Sequence, residues 1–198
     1  MDLLSSVGRT LGFSFAAGIN LYATVAILGL ASRFGWVALP EQYRVFDNNW
    51  IIGIALALYA IEFVADKIPW LDSAWDTVHT FIRPIGGAAI AVATLGHASP
   101  VAQTAVALLG GALATSTHLS KASTRIIANA SPEPFSNWIL SLAEDGFVIG
   151  LSALALAYPA AAAIVVLVCI AAVAVFLSWV VKFVKRRIKR PLAENYQW

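Results

Sequence analysis

Charged residues are scarce in this sequence. Asp, Glu, Lys and Arg make up 12% of its 198 residues, whereas hydrophobic residues make up 60%. A soluble globular domain carries about 25% charged residues, so the composition excludes that class. The mean hydropathy of +0.77 indicates an integral membrane protein. We predict an all-α polytopic helix bundle that forms a single transmembrane domain over residues 1–198.

Cysteine is nearly absent as well. Cys169 is the only cysteine, so no intrachain disulfide can form. The sequence also lacks a zinc motif, a phosphate-binding loop and a dinucleotide fingerprint, and we expect no cofactor. Asp72, Asp76 and His79 are candidate ligands for a hard or borderline metal ion. Three such residues on an amphipathic helix are more often a solvated face.

Uncharged stretches predict about six membrane-spanning helices, because each crossing needs about 20 mostly apolar residues. The stretch between Arg83 and Lys121 is too long for one crossing, and GHASP at residues 96–100 supplies a break. Tyr158 and Pro159 divide the later stretch in the same way. The predicted spans are 10–32, 50–65, 84–95, 101–117 and the two parts of 137–181.

Basic residues are distributed unevenly among the predicted loops. The six-span order with both termini in the cytoplasm places eleven Lys and Arg residues inside and only Arg33 and Arg44 outside. Short cytoplasmic loops are enriched in Lys and Arg, so this orientation is favoured. The basic segment 182–198 is interpreted as a cytoplasmic tail that touches anionic lipid rather than nucleic acid.

Two parts of the chain resemble each other. AAGINLYATVAILGLASRFG is followed by FDNNWII, and GGALATSTHLSKASTR is followed by PFSNWIL. The candidate repeats cover 11–96 and 101–181 with three spans each, and an odd number of spans inverts the second copy, as in many small transporters. Gly18 and Asn20 mark a candidate helix break, although a glycine there also permits close helix packing.

The segment IEFVADKIPWLDSAWDTVHTFIRP, residues 61–84, contains seven ionisable side chains. Asp72, Asp76, His79 and Arg83 recur at helical spacing and share one face. We predict an amphipathic helix on the membrane surface, between the second and third spans, with its polar side turned away from lipid.

Basic partners occur in the second half of the chain. His118, Lys121 and Arg125 form a stripe with helical spacing, and Glu144 and Asp145 lie about two turns inside the following span. We expect these groups and the acidic segment to surround a polar cavity that opens to the cytoplasm and leads toward mid-membrane. The candidate residues of a substrate or ion pathway are Asn20, Glu62, Asp66, Lys67, Asp72, Asp76, His79, Arg83, His118, Lys121, Arg125, Glu144 and Asp145.

Four blocks carry a resemblance to a known family. GINLYATVAILGL, EFVADKIPWLDSAWDTVHTFIRP, THLSKASTR and NASPEPFSNWILSLAED resemble the bacterial membrane-protein family called domain of unknown function 4126. The likeness covers residues 11–154. It implies a small multi-span protein of the bacterial inner membrane, and it implies no activity.

Three classes of function fit these observations. A transporter, channel or lipid flippase explains the candidate repeat, the helix break and the buried carboxylates together, and it is favoured over an enzyme. A membrane-embedded enzyme would use His79 or His118 as nucleophile or base on a lipid phosphate held by Arg83, Lys121 and Arg125. A structural or assembly subunit would use the charges only for packing. The expected partners are the lipid bilayer, a small polar, ionic or lipid-headgroup substrate and a second copy of the chain, with no nucleic acid.

Overall fold

The computed structural model describes residues 3–130 and 135–194, and this part of the chain is helical. Seven α-helices occur within these described ranges, together with a short 3₁₀ helix, Glu41–Phe46, that precedes the third of them. The α-helices are α1 Leu3–Ile19, α2 Leu21–Phe34, α3 Asn49–Ala65, α4 Pro69–Leu95, α5 Pro100–Asn129, α6 Phe135–Ala157 and α7 Pro159–Glu194.

Among the described residues, three helices are long and apolar enough to cross a membrane, namely α4, α6 and residues 159–183 of α7. The apolar helices α2 and α3 are shorter, with 14 and 17 residues. The predicted all-α architecture of a membrane protein is therefore supported, whereas six crossings are not confirmed. The repeat is not confirmed either, because its first matched segment, residues 16–35, is divided at Asn20 between α1 and α2, whereas the second, residues 110–125, lies within α5.

The predicted first span is interrupted at Asn20, which separates α1 from α2. Its backbone is extended, with φ −145° and ψ 99°, and its side-chain oxygen caps α2 by accepting a hydrogen bond from Ala23 N. Gly18 lies in close contact with α5, since a Cβ at this position would overlap the Thr117 hydroxyl and lie 2.5 Å from Ala114 O. The helix break and the close packing expected at Gly18 and Asn20 therefore both occur.

The chain reverses direction at Asn20, so that α1 and α2 form a hairpin. The first half of α1 lies beside the end of α4, where the hydroxyls of Thr10 and Thr94 are 3.1 Å apart. The second half of α2 returns to the same end, because Gly29 lies against Phe46 of the 3₁₀ helix and Gln42 of that helix donates to Thr94 O at 3.4 Å. Asn20 is thus the tip of a hairpin whose open end is at the end of α4.

The hairpin separates Arg9 from the other basic residues of the bundle. The Arg9 guanidinium donates to the carbonyls of Ala155 at 3.4 Å and Leu156 at 3.1 Å, where α6 ends. Lys121 and Arg125 lie near the opposite ends of the helices, where α5 ends and α6 begins. The six-span order places Arg9 on their side, whereas in the structure Arg9 lies toward the other end of the bundle because α1 and α2 form a hairpin.

The predicted surface helix is the first half of a longer helix. α4 continues through Pro84 to Leu95, and Asp72, Asp76, His79 and Arg83 on its polar face are buried. The sequence pattern was compatible with the membrane surface, but this face packs against protein. The predicted breaks at GHASP and at Tyr158–Pro159 are confirmed, since α4 ends before the first and α6 ends before the second.

Close packing of α4 on α5 depends on small residues. A Cβ on Gly87 would overlap Ala114 Cβ and lie 2.8 Å from Gly110 O, and Gly110 is equally close to α4. Small residues at such crossings let helix backbones approach closely in membranes. The α4–α5 pair therefore tolerates no added atom at Gly87.

We expect Gly87→Ala to lower the melting temperature of the detergent-solubilised protein, because overpacking a helix contact costs about 1–3 kcal/mol. Gly150→Ala is the matched control, since Gly150 is also helical and a Cβ there meets nothing within 4 Å. Its melting temperature should be unchanged or slightly higher, because alanine favours helix. Similar effects of both substitutions would contradict the close contact.

Candidate functional site

A buried cluster of ionisable side chains occupies the space between the hairpin tip, the end of α3, the first half of α4, the second half of α5 and the start of α6. Glu62, Asp72 and Arg83 have no exposed surface, and Arg125 is 1% exposed. The ionic cluster consists of Glu62, Asp66, Asp72, Asp76, His79, Arg83, His118, Lys121, Arg125, Glu144 and Asp145.

Arg83 joins the hairpin to α3 and α5. One nitrogen of its guanidinium pairs with Glu62 Oε1, and the other donates to Gly18 O at 3.1 Å and contacts His118 Nδ1 at 2.8 Å. Guanidinium can only donate, so His118 Nδ1 accepts and its proton lies on Nε2. That nitrogen faces Asp76 O at 3.1 Å, and His118 is therefore a neutral imidazole.

Lys121 is shared among three carboxylates. Its Nζ lies 2.9 Å from Asp66 Oδ2, 3.4 Å from Glu62 Oε1 and 3.6 Å from Glu144 Oε2. It also donates to Ile19 O at 3.4 Å, the last carbonyl of α1. Lys121 and Arg83 thus donate hydrogen bonds to the last carbonyls of α1, which have no hydrogen-bond partner within the helix.

Arg125 connects the end of α3 to α6. It binds Glu144 in a bidentate manner, with Nη2–Oε2 at 2.6 Å and Nε–Oε1 at 3.2 Å. It also donates to the backbone oxygen of Asp66 at 2.8 Å and to Asn137 O at 3.3 Å. Such charge-assisted, two-point contacts are stronger than neutral hydrogen bonds, and they fix the start of α6 against the bundle.

Asp66 lies between α3 and α4, outside both helices. Burial alone would raise the pKa of its carboxyl, but the charges of Lys121 and Arg125 hold the pKa below its usual value. Because the pKa is lowered on folding, this carboxylate stabilises the fold at pH values above its unfolded pKa. The contribution is lost as the pH falls through the lowered value.

His79 connects α4 to the hairpin through Tyr22. Its Nδ1 lies 2.7 Å from Trp75 O and its Nε2 lies 2.9 Å from the Tyr22 hydroxyl. A carbonyl can only accept, so Nδ1 carries the proton. Burial disfavours the charged form of an imidazole, and in the neutral ring Nε2 accepts from the Tyr22 hydroxyl. The Trp75 ring stacks on this imidazole with centroids 4.7 Å apart. His79 is thus neutral, with both ring nitrogens engaged.

The hairpin tip contacts α6 through a neutral donor. Asn20 Nδ2 donates to Asp145 Oδ1 at 3.2 Å. Asp145 Oδ2 is buried and accepts no hydrogen bond from the residues described here. Lys67 lies at the edge of the cluster, where its Nζ donates to Phe63 O at 2.8 Å and Ser141 Oγ at 3.1 Å.

Carboxyl groups outnumber basic groups in the cluster. The two imidazoles are neutral, so the fixed positive charges are those of Arg83, Lys121 and Arg125, with Lys67 as a fourth at the edge. Within the described residues they face six carboxyl groups: Glu62, Asp66, Asp72, Asp76, Glu144 and Asp145. Full ionisation would leave at least two uncompensated negative charges in a buried site.

The predicted meeting of the polar face of α4 with the basic stripe of α5 is confirmed. Arg125 Nη1 lies 3.9 Å from Asp72 Oδ1, and Arg83 contacts His118. Two small cavities with charged residues in their lining flank the cluster, one of about 230 Å³ between α4 and α5 and one of about 190 Å³ beside Lys121 and Glu144. The predicted opening of a polar cavity to the cytoplasm stays a prediction.

Other expectations require correction. The candidate metal ligands Asp72, Asp76 and His79 do not converge, and the described part of the chain contains no group of three His, Cys, Asp or Glu side chains that could hold a metal ion. A further cavity, about 480 Å³, is apolar and lies between α2, α3 and α4. It is separate from the ionic cluster.

Some contributing residues were missed in the sequence. Asn129 Nδ2 donates to Asp72 Oδ2 at 3.0 Å, and Asn137 Nδ2 donates to Asn129 Oδ1 at 2.6 Å. Asn129 follows Arg125 by four residues, so continuing the basic stripe by one turn would have identified it. No comparable pattern points to Tyr22 or to the carbonyls of Gly18 and Ile19.

Comparison with known families gives one result. The family model described as Domain of unknown function (DUF4126) matches residues 7–179. Neither the comparison with curated proteins nor that with solved structures gives a match.

We expect Arg83→Gln to destabilise the protein strongly, because it leaves Glu62 as an uncompensated buried carboxylate. Loss of one partner from a buried ion pair costs about 3–5 kcal/mol. The double variant with Glu62→Gln should recover part of the loss in melting temperature. Arg44→Gln is the control, since Arg44 belongs to an exposed pair with Glu41. A single variant at Arg83 as stable as this control would contradict the prediction.

Proposed function

We propose a transport function for this chain, which belongs to the family of the domain of unknown function DUF4126. In this proposal the protein is a small integral membrane transporter, and the ionic cluster binds the transported or coupling species. The observation that carries the proposal is the helix interruption at Asn20, whose flanking carbonyls meet Arg83 and Lys121 inside the bundle. Secondary transporters commonly place their sites at interrupted helices.

The composition of the cluster supports transport over a purely structural role. A charged side chain at the centre of a bilayer costs at least about 2.5 kcal/mol on insertion scales, and a buried ion pair is often no more stabilising than apolar residues of similar volume. A structural cluster would also need only enough carboxylates to neutralise its bases. Asp145 forms no ion pair among the described residues, and its hydrogen bond comes from the neutral Asn20.

The geometry gives less support to an enzyme acting on a lipid phosphate. His79 and His118 have both ring nitrogens engaged by protein groups, so neither is available as nucleophile or base. The guanidinium of Arg125 is directed at Glu144, Asp66 and Asn137. A phosphate would have to displace these carboxylates and would bring further negative charge into the site.

The distribution of basic residues suggests how the bundle is oriented. Of 13 Lys and Arg residues, Arg9, Arg33 and Arg44 belong to the open end of the hairpin, and the other ten lie in or beyond the half that contains the cluster. The positive-inside rule then places the cluster end at the cytoplasm. In this proposal α3 to α7 cross the bacterial inner membrane five times, and the hairpin enters and leaves from the outer side.

This orientation predicts that the two termini lie on opposite sides of the membrane. Green fluorescent protein fused after Trp198 should fluoresce, because that protein folds in the cytoplasm. Alkaline phosphatase fused after Phe34 should be active, because that enzyme requires the oxidising periplasm. A phosphatase inactive after Phe34 but active after Trp198 would invert the orientation.

Transport can be separated from stability because Glu144 and Asp145 have different partners. Glu144→Gln should lower the melting temperature, since it weakens the bidentate contact with Arg125. Asp145→Asn should leave the melting temperature nearly unchanged and abolish flux, because this carboxyl faces no ion-pair partner within the resolved contacts. The measurements are proton flux, uptake of radioactive sodium and flipping of a fluorescent phospholipid in proteoliposomes.

Glu41→Gln is the control for both variants, because Glu41 belongs to the exposed pair with Arg44. It should match the unmodified protein in melting temperature and in flux. If the unmodified protein moves none of the three probes faster than empty liposomes, or if Asp145→Asn retains full flux, the transport proposal is wrong.

A further inference from the structure

The charge balance of the cluster defines the sign of a ligand that it can accept. Six carboxyl groups face three basic side chains, or four with Lys67. An anion would add to the excess of negative charge, whereas a cation would reduce it. In a low-dielectric site this difference is large, so the cluster is suited to a cation.

Asp76 is the carboxylate best placed to receive that cation. The residue is 5% exposed, and neither of its side-chain oxygens accepts a hydrogen bond from any residue that the structure describes. Its nearest basic group is Arg83, whose Nη1 lies 3.8 Å from Asp76 Oδ1. A buried carboxylate normally accepts several hydrogen bonds, so Asp76 retains unused capacity for a ligand.

Asp76 lines the cavity of about 230 Å³ between α4 and α5, which we call the α4–α5 groove. The hydroxyl residues Ser73, Thr77 and Thr80 also line this groove. Ser73 donates its hydroxyl proton to Pro69 O at 3.0 Å, and Thr77 donates to Ser73 O at 2.8 Å. Ser73 Oγ also accepts from Asn129 Nδ2 at 3.1 Å, so it keeps one lone pair for a cation, and the Thr77 oxygen keeps two. Carboxylate and hydroxyl oxygens are hard ligands and suit hard cations.

Arg125 also lines the groove, but its positive charge does not exclude a cation there. Its positive charge is already compensated by the bidentate contact with Glu144 and by Asp66. The described residues offer no three-carboxylate or His-containing group for a multivalent metal. A monovalent cation that keeps part of its water shell fits a groove of this volume, since one water occupies about 30 Å³.

We infer that the α4–α5 groove binds a small monovalent hard cation on the Asp76 carboxylate, with Na⁺ and the proton as competing occupants. Coupling of this binding to flux rests on the proposed transport function, but the binding itself does not. The charged and titratable groups that face Asp76 come from four helices and the α3–α4 connection. They are Glu62, Asp66, Asp72, His79, Arg83, His118, Lys121, Arg125 and Glu144.

The test measures cation binding by thermal stability in detergent. The probes are NaCl, KCl and N-methyl-D-glucamine chloride at equal ionic strength, each at pH 5.5 and pH 8. Na⁺ should raise the melting temperature at pH 8 relative to N-methyl-D-glucamine, and the rise should diminish at pH 5.5 because protons compete for the carboxylate. Asp76→Asn should abolish this Na⁺ effect, and Glu41→Gln should keep it.

Two results would overturn the assignment. One is a melting temperature of the unmodified protein that does not respond to Na⁺, or a Na⁺ response that is the same at pH 5.5 and pH 8. The other is a Na⁺ effect that persists at full size in Asp76→Asn. Should Asp76→Asn fail to fold, Thr77→Val provides the second test, since it removes one hydroxyl of the groove from an exposed position. It should weaken Na⁺ affinity at least threefold, and unchanged affinity would also overturn the proposal.

Binding and transport can fail independently. A Na⁺ effect that requires Asp76, without flux in proteoliposomes, would support the cation site and remove the transport function. Flux that is independent of Na⁺ and pH, without a cation effect on stability, would support transport and remove the cation site.

Discussion

The termination of α1 inside the bundle is the constraint on which the rest of the site depends. A helix end buried away from water must find donors for its last carbonyls. Here Arg83 supplies a donor to Gly18 and Lys121 supplies one to Ile19. Buried bases in turn require carboxylates, and Glu62 and Asp66 at the end of α3 provide them. The ionic cluster thus follows in part from the reversal at Asn20.

The hydrogen bonds within the cluster indicate the tautomer of each of its two imidazoles. Arg83 occupies His118 Nδ1 as a donor, and the carbonyl of Trp75 occupies His79 Nδ1 as an acceptor. The two rings therefore carry their protons on different nitrogens, and neither adds a positive charge. Because the histidines are neutral, the net charge of the cluster depends only on its carboxyl groups and its Lys and Arg residues. The cluster therefore has more carboxyl groups than positive charges for two reasons: its residue composition, and hydrogen bonds that leave both histidines neutral.

Helical periodicity was sufficient to predict the facing polar stripes of α4 and α5, because residues at i, i+4 and i+7 must share a face. It could not decide whether the face of Asp72 and Asp76 met water or protein, since both environments select the same pattern. The hairpin was not predictable from hydropathy. Residues 10–32 are uniformly uncharged, and the chain reverses at Asn20, whose backbone is extended. Asp145 was recognised as a candidate, but its neutral partner was visible only in three dimensions.

The packing around the cluster indicates where adjustment to a ligand can occur. Gly18 brings α1 against α5, and Gly87 and Gly110 bring α4 against α5, at distances that leave no space for a Cβ. These backbones are therefore held together at the level of the cluster. Lys121, in contrast, has three carboxylates between 2.9 and 3.6 Å away on a flexible stem with rotatable donors. A cation that neutralised one carboxylate would alter the balance among these contacts, and Lys121 could re-pair without movement of a helix. The site is thus better suited to exchange of ion-pair partners than to large displacement of its helices.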